Sequence, residues 1–158
     1  MKFRSPANEA VLELIVQNLH SQNCARFRVY GSSMRPWLRG GEVVEVRREE
    51  PAKVRRGDVV AFTRGGGLFV HRVIGKRQRD GRILLITKGD AFPEADAPVR
   101  EEEYLGRVTR VASGGRVLST ESPAQRAFAQ LAARVSASAR WWYPGVRAAR
   151  RFLRAVVG

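Results

Sequence analysis

Few residues in this chain have the types and spacing to do chemistry. Ser32 and Ser33 are adjacent hydroxyls between two breakers, Gly31 and Pro36. A turn of this kind at the exit of a strand can hold a serine oxygen clear of its own backbone and leave nearby N–H groups free to bind an oxyanion. His71 lies within Phe-Val-His-Arg-Val, on the face opposite Val70, and Asp90 and Asp96 fall in the loop that follows the next strand. Serine is a poor nucleophile without a base, and neutral imidazole is well matched to that task near neutral pH. A carboxylate behind the imidazole would fix its tautomer and stabilise the imidazolium. Taken singly, a Ser-Ser pair is an ordinary polar turn and a strand histidine an ordinary outward position. Together they form a candidate nucleophile, base and orienter, with the choice between Asp90 and Asp96 open.

The elements that must position these residues are short strands. Phe27 and Val29 alternate with Arg26, Arg28 and Tyr30 ahead of the serine turn. Strands are predicted at 42–46, 59–62, 68–74, 82–87, 104–111 and 116–118. Gly65-Gly66-Gly67, Asp80-Gly81 and Ser113-Gly114-Gly115 supply the turns, and Asp80-Gly81 is a hairpin signal that sets the strand of His71 beside the strand preceding Asp90. Ser5-Pro6 reads as a helix start, followed by Val11, Leu12, Ile15 and Leu19 at helical spacing, with Leu14 beside them. About seven short strands behind one helix predict a compact, mainly β domain.

Composition narrows the class. The chain has 158 residues, 44% of them hydrophobic, enough for one domain with a real core and one appended element. Cys24 stands alone, which excludes a disulfide framework and a cysteine metal site, and we expect neither cofactor nor metal. No run of 18 apolar residues predicts a membrane span, and Glu9, Glu13 and Gln17 interrupt any signal-peptide core, so the expected location is cytoplasmic. The net charge of +14 calls for an anionic partner.

Four segments in order resemble the boxes of the type I signal peptidases. They are Gly31-Ser-Ser-Met-Arg-Pro36, Gly57-Asp-Val-Val-Ala-Phe62, His71-Arg-Val-Ile74, and Thr87-Lys-Gly-Asp90 with Asp96 following. Histidine rather than lysine in the third box is similar to the endoplasmic-reticulum and archaeal type. The resemblance implies a partly barrel-shaped β fold, Ser33 as nucleophile, His71 as base, and Asp96 with Asp90 as acidic partners. It further implies cleavage after small residues of an extended peptide bound as an added strand. The sequence departs from that pattern in three places. Gly31 stands where many relatives carry a serine that assists the oxyanion, so the hole must rest on backbone N–H groups, including that of Ser33, with Ser32 a weaker candidate. Ala91-Phe92-Pro93 follows Asp90 where histidine-type relatives carry asparagines, and an amphipathic helix stands where the transmembrane anchor is expected.

The chain divides into an N-terminal helix at 1–24, a signal-peptidase-like β domain at 25–120, and a basic helical extension at 121–158. From Ser122 onward there are seven arginines and no acidic residue. Residues 141–157 open with Trp141-Trp142-Tyr143 and place Arg147, Arg150, Arg151 and Arg154 on one helical face, a pattern suited to peripheral contact with an anionic membrane. A helical cap on the β domain is the alternative, and nucleic acid is the least favoured partner. The sequence therefore predicts a serine endopeptidase similar to signal peptidase I, acting on a peptide or precursor protein. The competing reading is a non-enzymatic basic binding module, for membrane or nucleic acid, on a retained peptidase fold.

Overall fold

A computed structural model describes residues 6–121 and residue 130. The predicted membrane-contact helix at 141–157 lies outside these residues.

One helix precedes a seven-stranded antiparallel sheet. Helix α1 spans Pro6–Gln22, followed by β1 (Cys24–Arg28), β2 (Val43–Arg47), β3 (Val59–Arg64), β4 (Gly67–Arg79), β5 (Arg82–Lys88), β6 (Tyr104–Ser113) and β7 (Arg116–Ser119). The sheet order is β1-β2-β6-β3-β4-β5, with β7 added to β6. The hairpin at Asp80-Gly81 forms as the sequence predicts. Both residues have positive φ, and Arg79 pairs with Arg82 across a two-residue loop.

The core occupies both faces of the sheet, because β3 sits inside it and its side chains alternate. Val59 and Ala61 join one cluster with Ile15, Leu19, Phe27, Val44, Val46 and Val108. Val60 and Phe62 join the other with Val54, Val73, Leu85 and Val99. Each such side chain contributes about 1.5–3 kcal/mol by leaving water, so β3 is the strand least able to shift. It carries His71 indirectly, since Val60 on β3 is paired with His71 on β4.

The fold is mainly β, as the sequence predicts. The sheet is not closed into a barrel: β1 and β5 end the order, and neither pairs with the other among the described residues. Closure would need the edge strands to meet, but a groove separates Arg26 to Tyr30 from Gly67 to His71. The apolar face of α1 is also narrower than its periodicity suggests. Ile15 and Leu19 are buried, whereas Val11 and Leu14 are 52% and 58% exposed. The C-terminal half of the helix lies on the sheet, and the other half overhangs the groove.

Candidate active site

The serine turn is built by its neighbours. Arg35 N–H donates to Ser32 O, and Leu38 N–H donates to Met34 O, while Met34 and Leu38 are buried as anchors. None of the backbone hydrogen bonds in this turn uses the N–H of Ser33. Gly31 has a φ of +96°, a conformation that side-chain-bearing residues rarely adopt. A serine at this position would be strained even though the space beside it is open.

The structure brings Ser33, His71 and Asp96 into one hydrogen-bonded line. Ser33 Oγ lies 3.1 Å from His71 Nε2, and His71 Nδ1 lies 2.7 Å from Asp96 Oδ2. The carboxylate can only accept, so Nδ1–H donates to it, and Nε2 is left as the acceptor of the Ser33 hydroxyl. This is the tautomer a general base requires. The imidazole is 4% exposed, against the usual outward position of a lone strand histidine. Phe62, Phe69 and Phe92 surround the ring with centroids 5.9, 6.1 and 6.4 Å away, each edge-on.

Thr87 fixes Asp96 twice. Its hydroxyl donates to Asp96 Oδ2 at 2.7 Å, and its carbonyl accepts Asp96 N–H at 2.8 Å. Thr87 is fully buried at the end of β5, so the carboxylate is held by a rigid strand although it belongs to a loop.

Asp90 is placed elsewhere. It receives Arg72 Nε at 2.8 Å and Arg72 NH2 at 2.7 Å, a bidentate pair. Arg72 also donates to Gly57 O at 3.0 Å and stacks over the Trp37 ring at 5.0 Å. One buried guanidinium therefore ties together the segments of the serine turn, the 57–62 strand, the histidine strand and the acidic loop. The sequence reading gave Arg72 no role. An arginine within the strand run Val70-His71-Arg72-Val73-Ile74 needs an anion if it is buried, and that need is the available signal.

The acidic loop also touches the serine directly. Ala91 N–H donates to Ser33 O at 2.8 Å. A Cβ on Gly89 would stand 2.8 Å from Ser33 O and 3.2 Å from Ser33 Cβ, so only glycine permits this approach. Lys88, 2% exposed, donates its ammonium to Phe92 O at 2.6 Å and clasps the loop. Burial pushes this lysine below its usual range, and the negative charge of Asp90 pulls it partly back.

Two negative observations bound the site. Among the described residues no group of three or more histidine, cysteine or acidic side chains is placed to hold a metal ion. None of the described helices is long and apolar enough to cross a membrane.

The family model described as Peptidase S24-like matches residues 4–109, a span that includes α1 as well as the strands through most of β6. No curated protein matches the chain.

Proposed function

Since the chain belongs to the Peptidase S24-like family, we propose that it is a serine endopeptidase that forms an acyl-enzyme at Ser33. The observation that carries this reading is the unbroken line from Ser33 Oγ through His71 to Asp96, with contacts of 3.1 and 2.7 Å. A family with non-catalytic members gives a weaker argument than this arrangement of three polar groups. Such a constellation has no evident structural purpose inside a ring of phenylalanines.

In the proposed mechanism Ser33 Oγ attacks the scissile carbonyl while its proton passes to His71 Nε2. Asp96 stabilises the resulting imidazolium, and the Ser33 N–H offers a hydrogen bond to the oxyanion. With Gly31 in place of a serine, the oxyanion depends on backbone donors. The imidazolium then gives its proton to the leaving amine, and the C–N bond breaks. A water molecule, deprotonated by the same imidazole, hydrolyses the ester and restores Ser33. No step requires Lys88, whose ammonium donates to Phe92 O.

The finer reading is a peptidase similar to the histidine-type signal peptidases, cutting after small residues. Residues 141–157 would hold it peripherally at an anionic membrane, which co-sedimentation with anionic vesicles at low and high salt would test. Cleavage itself is tested with a peptide library, mapping products by mass spectrometry for the parent and for Ser33→Ala. The reading expects cuts after alanine- or glycine-sized residues that vanish in Ser33→Ala. Cuts that persist in that variant would contradict it.

A further inference from the structure

The active-site groove carries a charge pattern that the catalytic line does not explain. Its volume is about 1040 Å³, and much of its lining is apolar. Val11 and Leu14 of α1, with Tyr30 and Phe92, are among the largest exposed apolar side chains, and all four line it. Every charged side chain along the groove, apart from the titratable His71, is an arginine: Arg26, Arg28 and Arg39. Among the described residues that line it none is a carboxylate.

These arginines are not equivalent. Arg26 is neutralised by Glu45, with its Nε at 2.8 Å and NH2 at 2.7 Å. Arg28 donates to the carbonyl of Gly41 at 2.6 Å, a contact that positions the guanidinium without cancelling its charge. Glu42 accepts the backbone N–H of Arg39, not its side chain. Among the described residues no carboxylate lies within ion-pair distance of either the Arg28 or the Arg39 guanidinium. Both are tied to the 39–42 turn, where Gly41 N–H also donates to Val29 O.

One wall offers backbone. Strand β4 pairs with β3 along Gly67 to Arg72, but its pairing with β5 begins only at Arg72. Among the described residues the second edge of Gly67 to His71 therefore has no partner strand, and it can take up an extended chain of about four residues. Arg28 precedes Ser33 by five residues, which sets it no more than ~17 Å from the nucleophile along the chain. A carboxylate reaching Arg28 or Arg39 would thus lie within about five substrate residues of the bond being cut.

We propose that the groove selects extended peptides whose apolar stretch is flanked by an acidic residue, with Arg28 and Arg39 as its specificity-determining side chains. The proposal rests on the reading of the site as a peptidase groove and names the class of peptide it takes. Basic flanks are disfavoured by the same pair of charges.

Binding tests this without relying on cleavage. Fluorescein-labelled decapeptides with an Ala/Val/Leu core and Glu, Gln or Lys on the flanks are titrated by anisotropy against Ser33→Ala protein. The expected order is Glu over Gln over Lys, with the Glu peptide roughly five- to tenfold tighter than the Gln peptide at low salt. That preference shrinks toward unity at 0.5 M salt, where screening is strong. Arg28→Gln with Arg39→Gln should erase the difference between Glu and Gln peptides. Arg39→Glu, which leaves the Arg28–Gly41 contact alone but brings the pair to zero net charge, should likewise remove most of the Glu preference. Equal binding of the three peptides, no binding of any, or a Glu preference that survives both variants overturns the proposal. Loss of the preference would leave catalysis at Ser33 standing, and an inactive parent enzyme would leave the preference standing.

Discussion

Asp96→Asn keeps the volume of the side chain and removes its charge, which isolates the orientation of His71 from the packing of the loop. Asp96 Oδ2 accepts from His71 Nδ1 and from Thr87 Oγ1, each at 2.7 Å. An amide that turns its NH2 toward Nδ1 donates to it, so the imidazole proton moves to Nε2. Nε2–H then faces Ser33 Oγ at 3.1 Å and cannot accept its proton. The imidazolium formed during attack also loses its counter-charge. Loss of the correct tautomer in a serine triad costs roughly 10⁴ in kcat, equivalent to about 5.4 kcal/mol of transition-state stabilisation. The melting temperature should change little, because Asp96 is partly open to solvent. Asp90→Asn makes the contrast. It strands the Arg72 guanidinium, whose side chain is 1% exposed, without its anion. Breaking a buried pair costs about 3–5 kcal/mol, which lowers the melting temperature by roughly 10 °C. The assay is peptide cleavage below the melting point, with calorimetry on the same samples. Asp96→Asn within tenfold of the parent would refute the assigned orienter. So would a 10⁴-fold loss in Asp90→Asn with unchanged melting.

Two further perturbations follow from the same contacts. Gly89→Ala places a methyl 2.8 Å from Ser33 O, so the serine turn must move; kcat should fall about a hundredfold while circular dichroism stays that of the parent. Glu103 pairs with Arg64 at 2.7 Å, and that guanidinium, ahead of the opposing effect of burial, lowers its carboxyl from 4.5 to about 2. The folded state therefore binds fewer protons than the unfolded state between these values. The stabilisation, about 2–3 kcal/mol, is complete above the ordinary carboxyl pKa and drains away as pH falls from 4.5 toward 2. Denaturant titrations across that window should be flatter for Arg64→Gln.

What could be read from the sequence follows from how local each signal is. The Asp80-Gly81 hairpin was legible because positive φ at both positions is a property of two residues and their turn. The unbroken apolar run Val59-Val60-Ala61-Phe62 is legible as a strand, and its burial on both faces fits its place between β6 and β4. The spacing set Asp90 and Asp96 equally near His71. They are separated by Arg72, which draws Asp90 away, and by Thr87, which returns Asp96 to the histidine strand. Helical periodicity identifies α1 but does not tell a face resting on the sheet, with Ile15 and Leu19, from one lining a groove, with Val11 and Leu14. Nothing local marks Arg28 and Arg39, because the free side of β4 that makes a groove of their surroundings depends on where β5 starts pairing.

Covalent labelling of the nucleophile tests the central claim most directly. A fluorophosphonate reports an activated serine whatever the peptide specificity, and intact-mass and peptide-mapping spectra locate the adduct. One equivalent on Ser33 is expected for the parent, none for Ser33→Ala, and strongly slowed labelling for His71→Ala. Ser32→Ala should still label, because the Ser33 hydroxyl is the one that reaches His71. An adduct on Ser32, or no adduct on folded parent protein under conditions that label a control serine hydrolase, would contradict the account.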